Sequence, residues 1–388
     1  MFEGNWNWSE LSRVIPLIDI RRYPHLPWNK GGLSGNPTLT VDDIESLQDK
    51  NGEWDWYAIS KRIPLMEVWK NPDVPWNKYG LSDNPTLTVD DIESLPDKNG
   101  EWDWYAISMR IPLMEVRKNP HLPWDKRGLS SNPTLTLDDV HHLQVKNGEW
   151  DWRWITKTLP MSEIRKNIDL PWSMRHISMH HSLTIDDILF LLEKKGKNIW
   201  DKWDWQQISP DVPLSDVKKH LDLPWERSGL SWNKTLTVDD IKHLKIYNGQ
   251  WSKLGLSSNI PLSEIRKNPS ISWDREGLSR NRTLTIDDIR HLKVTRGKWD
   301  WHSLSKRISL VDIRRNLDLP WDIKGLSQNP TLTVDDVLNI PLEWNWSSLA
   351  RNLPITDVYR YPNLKWNRDT LSRNKNIRIR DLVCWKEI

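Results

Sequence analysis

Trp54-Asp-Trp-Tyr-Ala-Ile59-Ser60 leads into Ile63-Pro64-Leu65-Met66-Glu67-Val68. Trp76-Asn-Lys-Tyr-Gly-Leu81-Ser82 then leads into Asn84-Pro85-Thr86-Leu87-Thr88-Val89-Asp90-Asp91-Ile92. The two strings share one template: a Trp, an aliphatic residue five positions on, then Ser, then an aliphatic-rich stretch with acids about thirteen to fifteen positions after the Trp. The template recurs through the chain, with leading Trp residues near 6, 54, 102, 150, 203, 251, 299 and 344. A second Trp follows each of these after 22 residues: Trp28, Trp76, Trp124, Trp172, Trp225, Trp273, Trp321 and Trp366. Residues 1–388 therefore read as a single array of eight double repeats of about 48 residues, or sixteen half-units. We call the half-unit led by Trp54 and its equivalents A, and the one led by Trp76 and its equivalents B. Ser follows the aliphatic in fourteen of sixteen, with Thr156 and Ala350 the exceptions. Residues 377–388 depart from the pattern, because Ile377-Arg-Ile-Arg-Asp381 replaces the usual Thr and acidic pair, and they read as an atypical C-terminal cap.

The local chemistry predicts helix–turn–helix. Pro27, Pro75, Pro123, Pro171, Pro224 and Pro320 stand directly before a leading Trp, where they block continuation of the preceding helix. A first helix of roughly Trp76 to Ser82 stops in the Asn-Pro turn. The second helix of each B half-unit begins at a Thr N-cap (Thr40, Thr88, Thr136, Thr184, Thr237, Thr285 or Thr333), with acids at its positive end. In A half-units Pro16, Pro64, Pro112 and their equivalents open the second helix. Such helices are too short to persist alone, so stacked neighbours must bury the Trp and aliphatic residues. The fold expected is an all-α solenoid of about sixteen short helix–turn–helix half-units, a rod or arc on the order of 130–160 Å long. A β-containing solenoid is the competitor, because Leu39-Thr40-Val41 and its copies alternate like a strand. The inward Asn or Cys ladder of such repeats is not evident.

Composition narrows the function classes. Lys+Arg total 55 against 53 Asp+Glu, a formal net charge of +2, so the chain as a whole lacks the electrostatic footprint of a nucleic-acid or membrane-surface binder. One Cys, Cys384, excludes a disulfide framework and fits a reducing compartment. No apolar run suits a membrane span, and the N-terminus lacks the features of a secretory signal, so the expected location is intracellular.

The string Trp-x-Trp-x-x-Leu/Ile-Ser with Asn-Pro-x-Leu-Thr, joined by Asn71-Pro72-Asp73-Val74-Pro75-Trp76, resembles the Trp-rich tandem repeats of large double-stranded DNA (giant) viruses of the mimivirus and marseillevirus kind. The resemblance covers nearly the whole chain. It implies a viral origin, with the virion or the infected host cell as the setting. It lends no catalytic or binding residue to any position.

Repeated residues suit a scaffold better than an active site. The acidic pairs, Asp42-Asp43 to Asp335-Asp336, occur seven times at helix starts and read as caps rather than as metal or glycosidase carboxylates. Ser at the sixth position after each Trp finds no Ser-His-acid arrangement and reads as packing. His176 and His180 have the spacing of a helical metal pair, but His180-His181 occupies the Asn-Pro turn position of other repeats. No catalytic residue, metal or cofactor is expected, and no small-molecule substrate is evident.

The candidate interaction surface is a basic ladder: Arg21, Arg22, Lys70, Arg117, Lys118, Arg165, Lys166, Lys218, Lys219, Arg266, Lys267, Arg314 and Arg315. Trp200 joins it, lying in the one insertion, near Leu191-Leu192-Glu193-Lys194-Lys195-Gly196-Lys197. A second ladder, two positions after each leading Trp, carries Trp8, Trp56, Trp104, Trp152, Trp205, Trp301 and Trp346 in A half-units. In B half-units the same position carries Lys30, Lys78, Lys126, Arg227, Arg275 and Arg368. Two readings follow. The first is a non-enzymatic viral scaffold for a viral or host protein partner, with incorporation into the particle as a structural component as one form of it. The alternative is a nucleic-acid-binding solenoid whose Trp and Arg/Lys rungs hold a single strand.

Overall fold

The computed structural model describes residues 5–48, 50–95, 100–196 and 202–384. Among these residues it is all-helical, with a regular repeating pattern of short helices and no strand. The helices have four to seven residues, except Ile185–Lys195 with eleven. The solenoid expectation therefore holds. Its β competitor survives only as isolated parallel bridges such as Asn29 to Asn51 and Asp125 to Asn147. None of these helices is long and apolar enough to cross a membrane.

Each half-unit contributes two helices: Trp56–Ser60 and Leu65–Lys70 in an A half-unit, Lys78–Ser82 and Val89–Ser94 in the B half-unit after it. The first helix starts later than the sequence suggests. Trp76 lies before the helix, because Asn77 is the N-cap and its side chain accepts from the Gly80 N–H. Asp55, Asn29, Asp103 and Asn345 do the same in their half-units. An Asx residue after a leading Trp satisfies a free helix N–H from its own non-helical backbone, as Asn77 does at φ -92° and ψ 113°. The leading Trp and the Trp two positions later are thus not on one helix. The second helix of B half-units follows expectation, with Thr40 and Asp43, or Thr88 and Asp91, closing reciprocal capping boxes. In A half-units the proline is itself the N-cap, as at Pro64.

The chain divides into two compact units, one of residues 1–134, 143–149 and 323–388, the other of residues 135–142 and 150–322. Both use the same bolts. The conserved-register Ser is fully buried and works twice: Ser82 Oγ donates to the Lys78 carbonyl at 2.8 Å and accepts from the Asp103 N–H at 2.9 Å. Ser60 accepts from Asn77 N–H in the first unit, and Ser257 from Asp274 N–H in the second. In this way one hydroxyl ties a helix end to the next half-unit.

The Asn of each Asn-Pro turn is a second bolt. Asn84 Nδ2 donates to the carbonyls of Ser60 (2.8 Å) and Ile63 (2.7 Å), while its Oδ1 accepts from the Thr86 N–H and hydroxyl. Asn36, Asn132, Asn233, Asn281 and Asn374 repeat the arrangement, each at most 3% exposed. An inward Asn ladder therefore exists, contrary to the sequence reading, and it serves helices rather than strands. Its donors satisfy carbonyls that the short preceding helix leaves open. His180 takes the Asn place in the fourth repeat, its Nε2 within 3.1 Å of the Leu159 carbonyl and its Nδ1 3.0 Å from Ser182 Oγ.

Glycine sets the spacing between paired first helices. A Cβ on Gly80 would fall 2.6 Å from the Tyr57 carbonyl oxygen, and one on Gly128 2.5 Å from that of Tyr105. Only a residue without a side chain permits that approach.

Within the first unit the first and last half-units meet. The Asn7 N–H donates to Ser372 Oγ at 3.0 Å, Asn7 Nδ2 donates to Asp369, and the Arg368 guanidinium lies 6.0 Å from the Trp6 ring. These repeat the contacts between successive half-units, where the Asp55 N–H meets Ser34 and Lys78 lies 5.6 Å from Trp102. The last half-unit thus has the first as its neighbour.

Candidate interaction surface

The Trp ladders face inward. All eight Trp residues that lead B half-units are buried, and each indole N–H donates to the carbonyl five residues earlier, as Trp124 does to Asn119 at 2.7 Å. Each of the seven Trp residues two positions into an A half-unit packs edge-to-face on a B-leading Trp, with ring centroids 5.3–6.0 Å apart. Such pairs add about 0.5–1.5 kcal/mol beyond area burial. None of the twenty-three ladder Trp residues is exposed. Trp69, Trp154 and Trp232, outside the ladders, are exposed. Trp200 and Trp385 lie outside the described residues.

The basic ladder meets the acidic one. Arg21, Arg165, Lys218 and Arg266 reach Asp43, Asp187, Asp240 and Asp288 at 2.5–2.6 Å, each 22 residues on. Trp69 stands at the same register and donates its indole N–H to Asp91. Arg117 and Arg314 also have partners. The neighbouring cations pair within their own helix: Lys70 with Glu67, Lys118 with Glu115, Lys166 with Glu163, Lys219 with Asp216 and Lys267 with Glu264. Arg22 and Arg315 are exposed. The cations two positions into B half-units also have an internal task, since Lys78 and Arg227 lie over Trp102 and Trp251.

Burial pulls the Asp288 carboxyl upward, but hydrogen bonds from Arg266 and Thr285 outweigh it and hold the group below its ordinary value. Asp43 and Asp240 behave alike. A lowered folded-state value gives stability that is present above the unfolded value of 3.8 and lost as pH falls through the folded one. Acid titration followed by circular dichroism is expected to show helix loss beginning below about pH 4, with Asp288→Asn flattening part of that slope. Arg266 is half exposed while Asp288 is buried, so Arg266→Ala is expected to lower the urea midpoint modestly at pH 7 and to raise the pH at which acid unfolding begins.

His142, His243 and His291 lie exposed against Asp138, Asp239 and Asp287 of their own helices. His176 and His180 do not form a metal pair: His176 Nδ1 is 2.7 Å from Ser173 Oγ, whereas His180 turns to the Leu159 carbonyl. Among the described residues no group of three or more His, Cys, Asp or Glu is placed to hold a metal ion. Burial lowers the His180 value despite its bond to Leu159, so the neutral ring is the folded form. The sign follows: this stability is present above the unfolded value of 6.5 and is lost as pH falls toward the lower folded one. The protection factor of amides around Leu159, with the base-catalysed intrinsic rate divided out, is expected to fall between pH 7 and about pH 5 in the native chain and to show no such pH step in His180→Asn.

The insertion extends a helix. Ile185–Lys195 runs past the end point of its equivalents, burying Leu191 and placing Phe190 5.2 Å from the Arg165 guanidinium.

One register on the second helix of A half-units is apolar and exposed in four of the eight double repeats, at Ile18, Met66, Met114 and Val311, and is Ser or Thr in the other four. In the first unit Ile18, Met66 and Met114 hold one register on the second helix of successive A half-units, 60–64% exposed. The same unit holds a groove of about 510 Å³ between the Asn36–Asp42 turn and Ile63, Pro64 and Glu67, the last two flanking Met66 in the chain. Compared with protein-family models, curated proteins and solved structures, the chain has no match.

Proposed function

We propose that this chain is a non-enzymatic repeat scaffold for protein–protein interaction. The observation that carries the reading is the exposed row Ile18, Met66 and Met114, in a molecule whose Trp ladder is packed and whose basic ladder is largely ion-paired. Evenly spaced apolar side chains on short helices suit an extended protein segment that makes one small contact per repeat. The burial and pairing of the rungs favour this over the nucleic-acid solenoid, which needs free aromatic faces and free cations. The resemblance of the repeat signature supports a viral product acting in the particle or in the infected host cell. Proteomics of purified particles distinguishes those two settings.

The test is capture from infected-cell extract by the native chain and by a variant carrying Ile18→Glu, Met66→Glu and Met114→Glu. A protein retained by the native chain and lost with the variant is the expected result. Retention unchanged by the three glutamates would contradict the reading. So would binding of generic single-stranded RNA or DNA at about 50 mM salt that falls steeply as salt rises and is lost on Arg21→Ala and Arg266→Ala.

A further inference from the structure

The fourth repeat holds a cavity built from residues its register normally excludes. It measures about 420 Å³ and is lined by Arg153, Trp154, Lys157, His176 and Met179, all in the second unit. Six of the other seven repeats have glycine where His176 stands, among them Gly32, Gly80 and Gly128. At Gly80, Gly128 and Gly277 a Cβ would sit 2.5–2.6 Å from a carbonyl of the facing helix. His176 carries the Cβ that such an approach excludes, so the pair Trp152–Thr158 and Met174–Ile177 cannot close as the glycine repeats do. Trp154 likewise stands where other repeats have Ala58, Ala106, Gly255 or Ser303.

The lining is aromatic and cationic. Trp154 is 42% exposed, with Lys157 Nζ 5.2 Å from its ring centroid. Arg153 is steadied by Asp151, which takes its Nε at 3.0 Å and one terminal nitrogen at 2.7 Å. His176 is anchored through Nδ1 to Ser173. Burial first, then the positive charges of Arg153, Arg175 and Lys157, lower its value, so the ring is neutral beside a positive field. A flat indole face next to two cations, with a thioether closing one side, matches a planar ring that carries an anionic group.

We propose that this cavity binds a nucleoside phosphate, with the base stacked on Trp154 and the phosphate held by Lys157 and Arg153. Its volume falls within the range of about 300–1,000 Å³ that holds small ligands. The site goes beyond the scaffold reading and does not depend on it, since it shares no residue with the apolar row. His176→Gly restores the residue of the other repeats and closes the space.

Isothermal titration of the full chain with adenosine 5′-monophosphate tests the idea, with adenosine, inorganic phosphate and a short single-stranded oligonucleotide as comparison probes. Saturable binding of the monophosphate is expected, weakened about tenfold or more by Trp154→Ala and by Lys157→Ala, weakened by salt, and tighter than for adenosine or phosphate alone. Trp154 and Lys157 are surface side chains, and unchanged circular dichroism of both variants establishes that the fold is intact. No saturable heat with the monophosphate at about 1 mM overturns the proposal, as does equal binding by Trp154→Ala. Binding of the oligonucleotide alone also overturns it, because a longer cationic track would then be the site.

Discussion

Trp124→Ala is expected to remove about 3–5 kcal/mol of stability, read as a fall in the urea midpoint of the far-ultraviolet signal. Three losses combine at this residue. The side chain is 1% exposed, so its removal leaves a cavity between stacked half-units. Its indole N–H bond to the Asn119 carbonyl disappears, which opens a helix C-terminus. Its edge-to-face partner Trp104, 5.5 Å away, loses the ring it packs on. Trp232→Ala is the control: that ring is 41% exposed and belongs to no ladder, and its loss is expected to lie within about 0.5 kcal/mol. Equal effects at the two positions would mean that the ladder Trp residues are not the packing of the stack.

Asn84→Ala comes next, with an expected loss of about 2–4 kcal/mol from a far smaller change in volume. The alanine strands the Ser60 and Ile63 carbonyls in a buried place and leaves the Thr86 N–H and hydroxyl without their acceptor. Unsatisfied buried groups carry their full desolvation penalty, whereas the bonds themselves contribute only modestly. The fourth repeat supplies a graded comparison, because His180 bonds the Leu159 carbonyl from the same register. Asn84→His is accordingly expected to lose less than Asn84→Ala at pH 7 and to fall toward it near pH 5, as the ring takes up a proton. Denaturation of the three proteins at both pH values checks the order. Asn84→Ala behaving like the native chain would contradict the buried ladder.

The repeat, the helix–turn–helix half-unit and the Thr-capped acidic pair were legible because each is local, resting on residues within about one turn of one another. The contacts that join half-units were not. Asn84-Pro85 carries all the marks of an exposed turn, and nothing within a few positions indicates that the Asn side chain reaches carbonyls 21 and 24 residues back. The same holds for Ser82, whose hydroxyl accepts from an amide 21 residues ahead. One missed signal was local: Asn, Asp or Ser follows nearly every leading Trp, as Asn7, Asp55, Asn77 and Asp103 do, and such a residue marks a helix start there rather than at the Trp.

On the candidate surface, Arg21 with Asp43 and Arg266 with Asp288 form ion pairs between residues 22 apart, a pairing that no local pattern around either ladder marks. The cavity at Trp154 and His176 left two traces in the sequence, a Trp outside both ladders and a His in place of a recurring Gly. Reading them together required knowing that the glycine register faces the preceding helix, which is a fact of packing rather than of pattern.

The central claim is that the Trp ladders are the inside of the stack. Acrylamide quenching of a variant in which Trp69, Trp154, Trp200, Trp232 and Trp385 are replaced by Phe reads only the twenty-three ladder residues. Blue-shifted emission with shallow quenching, which steepens to that of free indole only in denaturant, is the predicted result. Steep quenching in the folded variant would put the ladder rings in solvent and contradict the account.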